Sequence, residues 1–473
     1  MIPYFNHFEN DDREPLFTFQ IPGITGIFSF TNLKITFWIQ CFVLLSIQSI
    51  INVFVAVIVY KFIVIRPTKK KQNNNNNNNS YHPYLIGYGI ICPILLLGPL
   101  YIVTYCVELK NVTFMVCLCG AIPNLLLLRV VEAMHGIIPP AFLSGSSSTT
   151  STSMTRDNND DDDDAKSYHR RRRIEEEDGS SEGGLERFIL YYAATLQVKI
   201  DEKTNEPVPF TRKIMMTKMQ SFLSVFIQTT ILYSLLQPFD YIIAPTSSSS
   251  SSIQRLSMII DLYYWGNIVN AFFMASLTSL LLEGGGTGLG LITSFCSGLT
   301  METFSDSPLT QSSSPSDFWG NRWDRPVASA LRRGVFRPLR KDGGCSRQFA
   351  AIITFVISGF IHEYLLFFFM QRKGIPNNPN NEQYNPQFGN QFIFFTWNAI
   401  VLVSERALLN TKIGRNVFQW MRCYLPKPIL TFLVLMTVLP IAHLFTDEYV
   451  SSGFYNDAAF GFPRIEYLGG VKE

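Results

Sequence analysis

Charge is scarce in this chain. Asp, Glu, Lys and Arg together make up 16% of its 473 residues, against 47% apolar and 14% aromatic. Phenylalanine alone, at 39, outnumbers the 37 carboxylates. That balance excludes an ordinary soluble surface and points to a protein solvated largely by lipid. The eight cysteines lie mostly inside apolar runs, and Cys117 and Cys119 are too close together, and too deep in an expected span, to hold zinc. No disulfide framework or metal site is expected. No Gly-x-Ser-x-Gly elbow occurs, so a serine hydrolase has no support. Gly284–Gly290 misses the Gly-x-Gly-x-x-Gly spacing and reads as a flexible hinge after a membrane helix. The absence of paired halves weakens a transporter reading. Residues Met1 to Thr31 lack a basic region followed by a short apolar core, so no cleavable leader is expected. Net charge is +2, which identifies no partner, and no nucleic acid is expected.

What is present is a series of apolar runs of about 20 residues, the length that crosses a bilayer. They fall near 35–65, 84–106, 112–131, 216–236, 258–282, 349–370, 391–409 and 428–445. The expected fold is all-α and polytopic, with about eight membrane helices in one domain over 35–445. Tails are expected at 1–34 and 446–473, and disordered inserts at about 68–82, 144–184 and 244–252. The inserts include the homopolymers Asn73–Asn79 and Ser247–Ser252 and the charge blocks Asp160–Asp164, Arg170–Arg173 and Glu175–Glu177. Such compositions bury too little apolar surface to order themselves. Leu185–Val198 is expected to lie along the membrane interface. Arg66, Arg212, Arg332, Arg347 and Lys412 fall on the same side under eight spans, which places the Asp317–Arg347 loop in the cytosol and both termini opposite.

Two stretches carry candidate chemistry. His362 sits 13 residues into the run that starts at Phe349, roughly 20 Å from its cytosolic end. An ionisable residue at that depth is costly in hydrocarbon and usually lines a cavity or a pathway, although a histidine bonded to a helix carbonyl is the bland alternative. Glu363 points about 100° away round the helix, so it is not a simple ion-pair partner and instead holds a neighbouring helix, for example through a basic group. The second stretch is Phe318-Trp319-Gly320-Asn321-Arg322-Trp323-Asp324, followed by five positive charges between Arg332 and Lys341. The aromatics fit an interfacial belt, and the basic residues fit either membrane anchors or a cradle for an anionic ligand. His7–Asp11 and His443–Asp447 match a His-x3-Asp acyltransfer pattern only by chance, one in a tail and the other at a span's end.

The loop Phe318–Asp324 and the later Ser358-Gly359-Phe360-Ile361-His362-Glu363 together resemble the signature of the membrane-bound O-acyltransferase superfamily, wax synthase branch. The order and the 38-residue step from Asp324 to His362 are similar, and the motif pair covers about a tenth of the chain. Asn321 stands where the family usually has Arg, and Asp324 where it has Asn or His. The resemblance implies a helical bundle with a buried reaction chamber, and transfer of a fatty acyl group from acyl-CoA to a long-chain alcohol in the endoplasmic reticulum. It implies His362 and Asp324 as catalytic residues, His362 as general base. Trp319, Asn321, Arg322, Trp323, Ser358, Glu363, Arg332, Arg333 and Arg337 are the expected substrate-binding residues. No tightly bound cofactor is implied; acyl-CoA is a co-substrate, and a lipid alcohol and membrane lipids are the partners. A sterol or diacylglycerol acceptor, a transporter and an inactive lipid-binding relative are the alternatives.

Overall fold

A computed structural model describes residues 15–19, 28–65, 82–106, 111–137, 182–194, 196–201, 207–236, 265–371 and 384–467. Seven helices among them are long and apolar enough to cross a membrane. They are α1 (Ile35–Val64), α2 (Pro83–Cys106), α3 (Val112–Met134), α5 (Arg212–Leu236), α6 (Trp265–Ser297), α8 (Arg347–Phe369) and α9 (Asn390–Asn410). A shorter helix, α4 (Glu182–Ala193), lies between α3 and α5, and α7 (Arg325–Leu331) precedes α8. After α9 come α10 (Lys412–Tyr424), α11 (Lys427–Ile441) and α12 (His443–Ser451). The last two meet at a 60° bend, and together they form an eighth candidate span. The break follows from Pro440, which cannot continue the hydrogen-bond ladder. The architecture is the all-α, multi-pass membrane fold expected from the apolar runs.

Burial places α3 at the centre: 72% of its apolar window is enclosed by protein, against 17% for α1. Leu118, Leu126 and Val130 of α3 pack in one cluster with Ala56 and Val59 of α1, while Met115 and Val116 join Leu365, Phe368 and Phe369 of α8 in another. The outward faces of α1, α2 and α5 carry exposed Phe42, Phe54, Ile94, Leu97 and Leu223, as lipid-facing helices require. α8 and α9 pack closely. A Cβ at Gly359 would lie 3.1 Å from the Cα of Phe392, so a larger residue would need the helices to part by a few tenths of an ångström.

Three expectations change. The hinge at Gly284–Gly290 is helical, because α6 runs without interruption to Ser297. Its glycines serve packing: a Cβ at Gly286 would meet the Phe304 ring at 2.4 Å. The interfacial stretch around Leu185–Val198 is instead enclosed, with Phe188 and Tyr192 fully buried against α1 and α3. Both expected tails contain packed structure. Strand β2 (Phe28–Thr31) pairs antiparallel with β1 (Pro15–Phe19) on one side and β3 (Arg464–Tyr467) on the other. Asp457, buried, accepts the backbone N–H of Val112 at 2.6 Å and so ties the C-terminal segment to the start of α3. Of the expected inserts, 68–81, 144–181 and 244–252 lie outside the described residues.

Candidate active site

The first motif is a single widened helical turn. Ser314 caps it by accepting the N–H of Asp317, and Trp323 N–H then reaches back five residues to the Phe318 carbonyl at 2.8 Å. Widened turns of this kind concentrate at functional sites. The turn gathers its aromatics inward: Phe318 is buried, Trp323 stacks on it at 5.4 Å, and Trp319 meets it edge-on at 5.0 Å. The aromatics therefore form a packed unit. Arg322 bonds Asp317 at 2.8 Å and the carbonyl of Asp306 at 3.0 Å, which pins the two ends of the loop. Burial raises the Asp317 carboxyl, but the Arg322 and Ser313 donors outweigh it and hold the group below the usual carboxylate range.

Two residues of α9 fasten this turn to the bundle. Asn398 is fully buried and accepts the Trp319 indole N–H at 3.1 Å. Glu405 accepts both the backbone N–H and the hydroxyl of Ser316, each at 2.9 Å. Trp319 then packs on Phe355, Phe394 and Phe395. Phe395 in turn stacks on the ring of His362 at 4.4 Å, and Phe445 of α12 meets that ring edge-on at 5.3 Å.

His362 is 15 residues into α8, about 22 Å from its start. Its Nδ1 lies 2.8 Å from the carbonyl oxygen of Ser358. A carbonyl can only accept, so Nδ1 carries the hydrogen. In the neutral ring Nε2 is then the basic nitrogen, and the ring orientation is fixed by a backbone group. Glu363 faces elsewhere, as its position round the helix requires. Its Oε1 accepts the N–H groups of Gly389 and Phe392 at 2.9 and 3.0 Å, which caps the first turn of α9. It does hold a partner helix, but through two orphan backbone donors and not through a basic group.

His362 lines a chamber of about 670 Å³, and so do Trp319, Trp323, Asp324, Arg332, Arg337 and Ser358. Along α8 the lining residues climb from Arg347 through Ala351 and Phe355 to Ser358 and His362. Along the antiparallel α9 they run from Arg406 through Leu402 to Phe395. One end of the chamber is therefore edged by Arg332, Arg337, Arg347 and Arg406, and the apolar interior leads to His362. Desolvation holds Arg332 below the usual guanidinium range, and the like charges of Arg337, Arg333 and Arg347 push the same way. Guanidinium groups stay charged nonetheless, so this mouth is favourable for a bound anion.

Asp324 opens α7. It is one of two non-glycine residues with positive φ among those described, at φ 38°, and its carboxylate caps the helix by accepting the Val327 N–H at 3.3 Å. Burial in the chamber wall pushes this carboxyl up to about 7, which the Val327 N–H only partly offsets. No cation pairs with it among the described residues, so the neutral form is within reach at physiological pH.

Four expected binding residues lie outside the chamber lining: Asn321, Arg322, Arg333 and Glu363. Arg333 is enclosed and paired with buried Glu132 of α3 at 3.0 Å. Glu132 also accepts the Tyr191 hydroxyl at 2.5 Å, and Arg129 donates to the carbonyls of Tyr191, Tyr192 and Ala194. Arg333 thus locks the basic segment to α3 and α4, and the phosphate-cradle reading does not extend to it. The residues that sequence reasoning missed are Arg347, Arg406, Glu405 and Asn398. Asn398 and Glu405 were detectable, because polar groups inside an apolar span seldom occur without a partner.

Residues 302–379 match the membrane bound O-acyl transferase family. The chain is similar to two Arabidopsis thaliana proteins named "Probable long-chain-alcohol O-fatty-acyltransferase". Number 9 is 38% identical over 63 residues, 12% of this chain and 18% of the relative. Number 6 is 29% identical over 125 residues, 25% of this chain and 36% of the relative. It is also similar to "Acyl-CoA--sterol O-acyltransferase 1" of Arabidopsis thaliana, 33% identical over 139 residues, 28% of this chain and 34% of the relative. The chain thus spans between about a fifth and about a third of these relatives' lengths. The segment 302–379 contains the turn, Asp324, the basic segment and His362, so the resemblance read from the motif pair holds for that segment.

Proposed function

We propose, from the match of residues 302–379 to the membrane bound O-acyl transferase family, that this chain esterifies a lipid alcohol with the acyl group of acyl-CoA. The observation that carries the reading is the chamber's polarity: four arginines edge one end, and His362 lies about 22 Å along α8 from Arg347. An acyl-CoA is an amphiphile of matching polarity. Its phosphates would meet Arg332, Arg337, Arg347 and Arg406, and its thioester would thread inward past Phe355.

Nε2 of His362 takes the hydroxyl proton as the alcohol oxygen attacks the thioester carbonyl. The tetrahedral intermediate collapses with cleavage of the carbon–sulfur bond, and the departing CoA thiolate takes the proton from the imidazolium. The products are the ester and CoA–SH. Protonated Asp324 is a hydrogen-bond donor suited to the developing oxyanion, and the largely apolar lining around it would strengthen that bond. Arg332, Arg337, Trp319, Trp323 and Ser358 shape the binding path. Glu363 and Arg333 act as positioning residues.

A long-chain alcohol is the acceptor we favour, giving a wax ester, since two of the similar proteins carry that activity in their names. A sterol is the second reading, favoured by the 139-residue similarity to the sterol acyltransferase. The proposed membrane is that of the endoplasmic reticulum. The deciding assay feeds labelled acyl-CoA to microsomes carrying the protein, with a fatty alcohol, a sterol or diacylglycerol as acceptor. Wax ester as the main product supports the first reading and sterol ester the second. No ester from any acceptor would overturn both.

A further inference from the structure

Helix α10 has two apolar flanks, only one of which meets protein. Phe418 and Met421 are partly covered by the rest of the chain. Ile413, Val417, Trp420 and Tyr424 are 78%, 49%, 55% and 73% exposed. At 100° per residue these four fall within about 60° of one another, so they form one stripe. The opposite face carries Lys412, Arg415, Asn416, Gln419 and Arg422, and the helix contains no acidic residue. Thirteen residues rise only about 20 Å, too short to cross hydrocarbon. Thr411 alone separates α10 from the candidate span α9, and Leu425–Pro426 separate it from α11, the first half of the bent candidate span. Joints this short would hold it at the bilayer boundary if those elements span.

We propose that α10 is an in-plane helix whose exposed stripe inserts among lipid chains and whose Lys412, Arg415 and Arg422 bind anionic phospholipid headgroups. The two halves of its surface match the two halves of a charged bilayer surface: an apolar stripe of the size that embeds at the acyl boundary, and a polar flank whose only charges are positive. A second copy of the chain would cover the stripe but leave three like charges uncompensated. The site is separate from the chamber lining, although Arg406 and Leu409 of the chamber mouth lie one turn before it in sequence. The proposal stands independently of acyl transfer.

The test uses the full chain reconstituted in phosphatidylcholine nanodiscs, with and without phosphatidylserine. Val417→Cys, in a background of Cys106→Ser, Cys296→Ser and Cys423→Ser, carries an environment-sensitive fluorophore. Its emission should be blue-shifted and quenched by spin-labelled lipid. Spin-labelled phosphatidylserine should quench more strongly than spin-labelled phosphatidylcholine, with an enrichment of about fivefold per engaged basic side chain. Replacing Lys412, Arg415 and Arg422 with Gln should bring the two quenchers level while the blue shift persists. A water-like emission spectrum would overturn the proposal. So would equal quenching in the native helix, or a blue shift that lipid quenchers do not touch in a particle holding two copies.

Discussion

At the residue scale, the proposed reaction rests on two side chains of the chamber wall, and each is held by a backbone group. Ser358 fixes the tautomer of His362 through its carbonyl, and the Val327 N–H holds the Asp324 carboxyl in place. Asp324 has the more informative titration. An acid raised from 3.8 to about 7 is neutral below that value and charged above it. Its ionisation therefore costs stability, and the cost grows as pH climbs from the unfolded value towards 7 and is level beyond it. Asp324→Asn keeps an acceptor for Val327 and tolerates positive φ. The thermal stability gained by this variant should widen between pH 4 and pH 7 and then stay constant. If the proposed reaction holds, ester formation by the native protein should decline as pH rises through about 7, and Asp324→Asn, which keeps a donor at all pH values, should lose that limb. A variant with an unchanged pH–rate profile would remove Asp324 from the mechanism.

At the scale of elements, three polar contacts tie α9 to its neighbours, one to α8 and two to the aromatic turn. Glu363 caps α9, Asn398 holds Trp319, and Glu405 holds Ser316. Removing the cap with Glu363→Ala should cost about 1–2 kcal/mol, read as a lower melting temperature. Glu363→Gln, which still offers an amide oxygen to Gly389 and Phe392, should recover most of it. Arg333 belongs to the same scale. Arg333→Gln leaves buried Glu132 without its ion pair and should destabilise by about 3–5 kcal/mol without a selective rise in acyl-CoA KM. The apolar runs announced α8 and α9, and the two motifs announced His362 and the aromatic turn. The contacts between them were not legible. Hydrophobic periodicity places a residue in a span but carries no information on which helix it faces, so Arg333 read as one more cation in a basic segment. The helical state of Gly284–Gly290 was hidden for a related reason: its support is the ring of Phe304, which only the folded chain brings near.

For the whole molecule, the organising feature is a polarity gradient along one chamber. Its cationic end includes residues from three separated parts of the chain: Arg332 and Arg337 before α8, Arg347 at its start, and Arg406 near the end of α9. Arg332→Gln and Arg337→Gln should each raise the acyl-CoA KM about tenfold, the scale of one charge-assisted hydrogen bond, with little change in kcat. The α-helical membrane class and the number of candidate spans follow from composition and run length alone. The enclosure of α4 and the sheet joining the terminal segments do not, because both depend on long-range pairing. The central claim is that His362 is the general base at the inner end of this gradient, and the most direct measurement is single-turnover ester formation from labelled acyl-CoA by His362→Ala beside the native protein. Loss of about a hundredfold or more in rate, with a native melting temperature, is the predicted result. Ester formed at the native rate by His362→Ala would contradict the account.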